Sequence, residues 1–181
     1  MKLVKSTIVG CLALFLMCCA NPKKHHESST KTEKKQRLTA QIDSLEREFE
    51  KEGMQNSFTV SKLITAYSEF RNNFKEDDKT PTYFLKAGNL ARGLEDWKKA
   101  ADIYKNFFND FPNHPKREEV LYLLGSIYDL WLNNKKDARQ TYEHYLKIYP
   151  LGAFSEDVKS SLKFIDVPLK DRVKIFENKA D

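Results

Sequence analysis

The sequence predicts an all-α fold, a short solenoid of antiparallel helical hairpins with about three repeats and a C-terminal capping helix. Three observations carry this. Phe84, Ala87-Gly88, Ala91, Ala100, Tyr104, Phe107 and Phe111-Pro112 recur as Leu121, Leu124-Gly125, Tyr128, Ala138, Tyr142, Tyr145 and Tyr149-Pro150, 37 to 38 residues later. Leu63, Tyr67, Phe70 and Phe74 repeat the second-helix part of that pattern one period earlier. Twelve Phe and eight Tyr in 181 residues supply large flat side chains for the gaps between helices.

The elements follow in order. Residues 1–18 read as a signal peptide: Lys2 and Lys5 precede an apolar run from Ile8 to Met17, which is too short to span a bilayer. The run ends Leu16-Met17-Cys18-Cys19-Ala20, which resembles a bacterial lipobox with Cys19 as the modified cysteine and Leu16 three residues before it. That resemblance implies an acylated Cys19 and anchoring without a transmembrane helix, because two or more lipid signals hold a protein stably. Ala20 after the cysteine implies the outer membrane by the enteric sorting rule. Residues 19–37 read as a disordered basic tether without apolar periodicity. The formal charge of +5 belongs to these leading segments, since 23 bases face 24 acids from Leu38 onward. The folded part therefore has no electrostatic footprint for nucleic acid.

The repeat domain spans 38–177. Leu38, Ile42, Leu45 and Phe49 form one helical stripe that ends at Gly53, a residue suited to a left-handed cap. The stripe fits either the first helix of a further repeat or a short coiled coil that joins copies of the chain. Thr80 is placed to cap the next helix, with Pro81 in its first turn. Gly88 and Gly125 stand mid-helix at matched positions. A helical glycine costs about 1 kcal/mol against alanine, so a matched pair signals a steric need. One extra residue in the second copy is expected in the turn from Leu132 to Lys136. After Pro150 the frame continues with Val158, Leu162 and Ile165, then breaks at Val167-Pro168. Leu169, Val173 and Phe176 make a last short stripe.

Leu121-Leu124-Gly125-Tyr128 with Ala138-Tyr142-Pro150, and Phe84-Ala87-Gly88-Ala91 with Ala100-Tyr104-Pro112, resemble the tetratricopeptide repeat. The resemblance implies a right-handed array whose concave face is lined by the first helix of each hairpin. On that face it places Asn89, Arg92, Tyr122, Ser126 and Asp129, with Phe164 at the far end, as a groove for a protein or peptide partner. With the lipobox, it suggests a scaffold of the bacterial envelope, facing the periplasm from the outer membrane. Two such families are the lipoprotein of the β-barrel assembly machinery and the repeat protein of the Tol–Pal system. The alternative is a structural oligomer joined through helix 38–52.

No catalytic constellation emerges. His114 sits in a Pro-bounded turn and His144 reads as a partly buried packing residue. Neither these nor His25-His26 completes an acid–base pair or a metal-ligand set, so the expectation is a non-enzyme without cofactor or metal.

Overall fold

A computed structural model describes residues 22–172. The chain divides after Lys34, and the described part of the first unit, residues 22–34, is helical. The helices in chain order are α1 (Pro22–Glu52), α2 (Ser57–Asn73), α3 (Thr80–Gly93), α4 (Trp97–Asp110), α5 (Arg117–Ser126), α6 (Lys135–Ile148) and α7 (Ser155–Phe164). A 3₁₀ turn, Gly53–Gln55, separates α1 from α2, and a π-helical turn, Ile127–Trp131, extends α5. No strand occurs among the described residues. Each helix from α2 onward packs mainly on its neighbours in sequence, so the fold is an all-α helical repeat solenoid. No described helix is long and apolar enough to cross a membrane.

The first helix begins well before the sequence reading placed it. Residues 22–37, expected as a disordered tether, are helical. The run Glu33-Lys34-Lys35-Gln36-Arg37 has good helix propensity without any apolar stripe, and Glu33 stands four residues before Arg37. Extending an existing helix also avoids the nucleation step that makes isolated helices marginal. The existing helix is well held. Leu38, Ile42 and Leu45 are buried in the core, with Phe49 packed against it. Lys35 forms an ion pair with Asp77. The stripe thus belongs to the array as a first helix, and the structure places it in the core rather than in a coiled-coil seam.

The hairpin contact explains the matched glycines. A Cβ at Gly88 would meet the Tyr104 ring at 2.6 Å, and one at Gly125 would meet Tyr142 at 2.5 Å. Each tyrosine ring therefore lies flat on backbone that only glycine leaves open. Both rings are essentially inaccessible. The Tyr104 hydroxyl donates to Asn89 of the first helix at 2.7 Å, and Ser126 and Ser161, also on first helices, offset part of the rise that burial imposes on the Tyr142 pKa. Tyr67, one period earlier, donates to Glu46 at 2.5 Å. The same contact thus recurs at three levels of the array.

The turns repeat as closely. Gly53, Glu95 and Asn133 all adopt positive φ, at 62°, 58° and 47°. The next helices are capped by Asn56, Asp96 and Asn134, each accepting from the backbone N–H three residues on. Gly53 ends α1 in the left-handed conformation expected of it. Thr80 behaves differently from expectation. It lies inside α3, and its hydroxyl donates to the Phe74 carbonyl at 2.5 Å instead of capping the helix. Ser155 does the same for Tyr149 at 3.0 Å, and Arg117 Nε for Phe108 at 3.1 Å. In each inter-hairpin turn, a side chain thereby satisfies a carbonyl at the end of a second helix.

The extra residue of the second copy is absorbed inside the helix, not in the turn at Leu132–Lys136. Leu132 N–H bonds to Ile127 O, the i to i+5 step of a π-turn, at 3.0 Å. The turn residues Asn133 and Asn134 then superimpose in role on Glu95 and Asp96. The π-turn carries Trp131 outward, where it stacks on Trp97 with ring centroids 4.1 Å apart and planes 9° from parallel.

Candidate functional site

Helices α3, α5 and α7, with the π-turn after α5, carry the residues expected on the binding face. On α3 the solvent stripe is Thr82, Lys86, Asn89 and Arg92, all exposed and without an acidic residue. Asn89 Oδ1 accepts from Tyr104, which leaves its amide N–H₂ free to donate. Arg92 stands one helical turn further. Its guanidinium makes no hydrogen bond or ion pair among the described residues. Burial raises the Tyr104 phenol pKa to about 12; Arg92 works against that rise and Glu119 of α5 adds to it. Arg92 of α3 and Glu119 of α5 therefore act in opposite directions on the same hydroxyl.

On α5, Tyr122 is half-buried and its ring stacks on Phe154 at 4.4 Å and 6°. Ser126 donates to Tyr122 O at 3.0 Å, and with Ser161 of α7 it works against the rise that burial imposes on the Tyr142 pKa. Phe164, one turn beyond Ser161, is half-buried, with Lys163 Nζ 5.5 Å from its ring centre. The structure thus joins Asn89 with Arg92, and Tyr122 with Ser126, leading toward α7.

Asp129 leaves this set. The π-turn buries it to 3% exposure. Arg172 grips its carboxylate with two hydrogen bonds, at 2.7 and 3.0 Å, while Lys135 Nζ approaches at 2.6 Å. Arg172 gives two further hydrogen bonds to the Val167 and Ile165 carbonyls, both at 2.8 Å. Burial opposes ionisation of Asp129, but the hydrogen bonds from Arg172 and Lys135 outweigh it and hold the carboxyl below its usual range. A carboxylate so filled offers nothing to a partner. The sequence reading missed Arg172, which lies 43 residues from Asp129 in an otherwise unremarkable polar segment.

A cleft of about 330 Å³ opens between α1 and α3 over α2. Phe49, Leu63 and Leu90 supply its apolar surface, with Glu46, Glu50, Lys86 and Asn89 around them. Glu46 links the cleft wall: it accepts from Tyr67 and pairs with Lys86 Nζ at 2.6 Å. Burial opposes its ionisation, and Lys86 and Tyr67 together still pull its pKa down. Of the residues around this cleft, the sequence reading named only Asn89. The acidic row Asp43, Glu46 and Glu50, spaced by 3 and 4, was the available signal.

The two histidines have no part in this face. His144 is exposed rather than partly buried, its ring edge-on to Phe108 at 5.6 Å. His114 lies edge-on to Phe107 and accepts Lys116 N–H through Nδ1 at 3.1 Å. Cys19 and the signal segment lie outside the described residues.

No curated protein matches the chain. Residues 83–114 and 119–151 each match the family model described as tetratricopeptide repeat, the two hairpins α3–α4 and α5–α6, and this supports the chain as a tetratricopeptide repeat protein.

Proposed function

We propose that this chain is a membrane-anchored scaffold of the bacterial envelope that binds an extended segment of a protein partner across its first-helix face. Repeats of this kind generally mediate protein–protein interaction. The observation that carries the reading is Arg92, an exposed guanidinium without an ion-pair partner among the described residues, one turn from the free amide of Asn89 on a stripe without acids. A guanidinium presents its donors in a planar fork that matches a carboxylate, and a neighbouring amide adds a third donor. The partner then brings a carboxylate to α3. Tyr122, Ser126 and Phe164 extend the face toward α7. The anchor is acylated Cys19, and the location is the periplasmic side of the outer membrane, as the lipobox and Ala20 suggest. Roles in outer-membrane assembly or envelope maintenance fit such a scaffold.

Two measurements test this. Arg92→Glu in the full chain abolishes crosslinking to envelope proteins in cells while leaving the melting temperature unchanged. Unchanged crosslinking removes the α3 stripe from the site. Cys19→Ser abolishes labelling with a fatty-acid analogue and releases the chain from the membrane fraction; retained labelling moves the modification to another residue.

A further inference from the structure

The α1–α3 cleft has a chemistry of its own, distinct from the carboxylate-seeking stripe beside it. At about 330 Å³ it holds roughly eleven waters' worth of volume, the low end for a ligand pocket. That suits one large side chain better than a whole small molecule. Its floor of Phe49, Leu63 and Leu90 is apolar, so the group that fills it gains by leaving water.

The rim fixes what stands beside that group. Glu46 and Lys86 neutralise each other, and Tyr67 donates to the same Glu46 oxygen, Oε1. Besides Glu46, two residues of the rim keep unfilled polar groups. Glu50 is exposed and makes no hydrogen bond or ion pair, and Asn89 keeps its amide N–H₂. An amide donor fits a backbone carbonyl of an extended chain. A lone carboxylate over an apolar cleft attracts a cation and repels an acid. Asp43, one turn before Glu46 on the same helix, adds a charge of the same sign.

We propose that this cleft takes a large apolar side chain of the partner segment, with a basic residue of that segment lying beside it against Glu50. The inference rests on the first-helix face being the binding face. With Arg92 one turn beyond Asn89, it also sets the order of the segment: basic over α1, apolar in the cleft, acidic over α3.

The test uses the full chain and fluorescein-labelled 15-residue Gly/Ser peptides carrying a central Lys-Phe, Glu-Phe or Lys-Ser pair, read by anisotropy. The Lys-Phe peptide binds about tenfold more tightly than either of the others, the scale of one charged hydrogen bond. Glu50→Lys, a change on the exposed surface, inverts the preference to Glu-Phe. Equal binding of Lys-Phe and Glu-Phe overturns the proposal, as does Lys-Ser binding as well as Lys-Phe or a preference untouched by Glu50→Lys. If the preference is absent while Arg92→Glu still abolishes crosslinking to envelope proteins, the cleft assignment falls and the first-helix face stands. If both fail, the face itself is misassigned.

Discussion

Arg92 and Asp129 occupy the same place in successive hairpins, 37 residues apart, and meet opposite surroundings. Arg92 is exposed at the end of a regular α-helix. Asp129 is buried in a π-turn and held by two cations. Around them the hairpins agree closely. Glycine lies under tyrosine, a left-handed residue precedes the second helix, and an Asp or Asn caps it. The conserved geometry thus belongs to stacking. The departures show where one hairpin stays open to solvent and the other closes against the chain's own C-terminal segment.

The largest effect is expected where the hairpins agree. Tyr104→Ala empties a fully buried ring site and costs about 3–5 kcal/mol by chemical denaturation. A near-neutral result removes the packing role of the tyrosine–glycine contact. Asp129→Ala belongs in the same range, about 3–5 kcal/mol, because it leaves Arg172 buried without its partner. Arg172→Met in the same background recovers part of that loss, since the uncompensated charge is then gone.

Asp129 also makes a pH prediction. Its folded pKa lies below the unfolded value near 3.9, so its contribution is fully present above about pH 5. It falls as acid takes the pH through the unfolded value and is gone below the depressed folded value. The wild-type chain therefore loses stability more steeply than Asp129→Asn across that acidic window. Parallel curves contradict the assignment.

Smaller effects follow. Asp96→Ala and Asn134→Ala each cost about 1 kcal/mol, as lost helix caps do, and their near equality tests the equivalence of the two turns. Arg92→Ala stays within about 0.5 kcal/mol of wild type, as expected of an exposed residue without partners. The contrast between Arg92→Ala and Asp129→Ala is the sharpest measure of how far the two hairpins have diverged.

The parts of this fold legible in the sequence were those set by periodic packing. The tyrosines at 67, 104 and 142, the two mid-helix glycines and Gly53 each announce a local steric requirement. Three features were hidden for physical reasons. The helix from Pro22 has no apolar stripe because its propensity, not burial, continues it. The extra residue of the second copy shows only as a change in spacing, which does not reveal whether a turn or a π-helix absorbs it. Arg172 pairs with Asp129 across a long stretch of chain, and nothing local marks either as buried. The candidate site was legible in part. The exposed α3 stripe was visible from the repeat register, whereas the cleft depends on how α1 docks and could be placed only in three dimensions.

The stacked indoles of Trp97 and Trp131 are the whole tryptophan complement of the chain. One ring opens α4 and the other ends the π-turn after α5, so their contact spans two successive hairpins. Two parallel chromophores at van der Waals separation couple their transitions, and that coupling disappears with a small slip between hairpins. The protein therefore carries a native optical gauge of repeat registration. Near-ultraviolet circular dichroism can follow the α3–α4 and α5–α6 hairpins parting without any label, before helicity itself is lost.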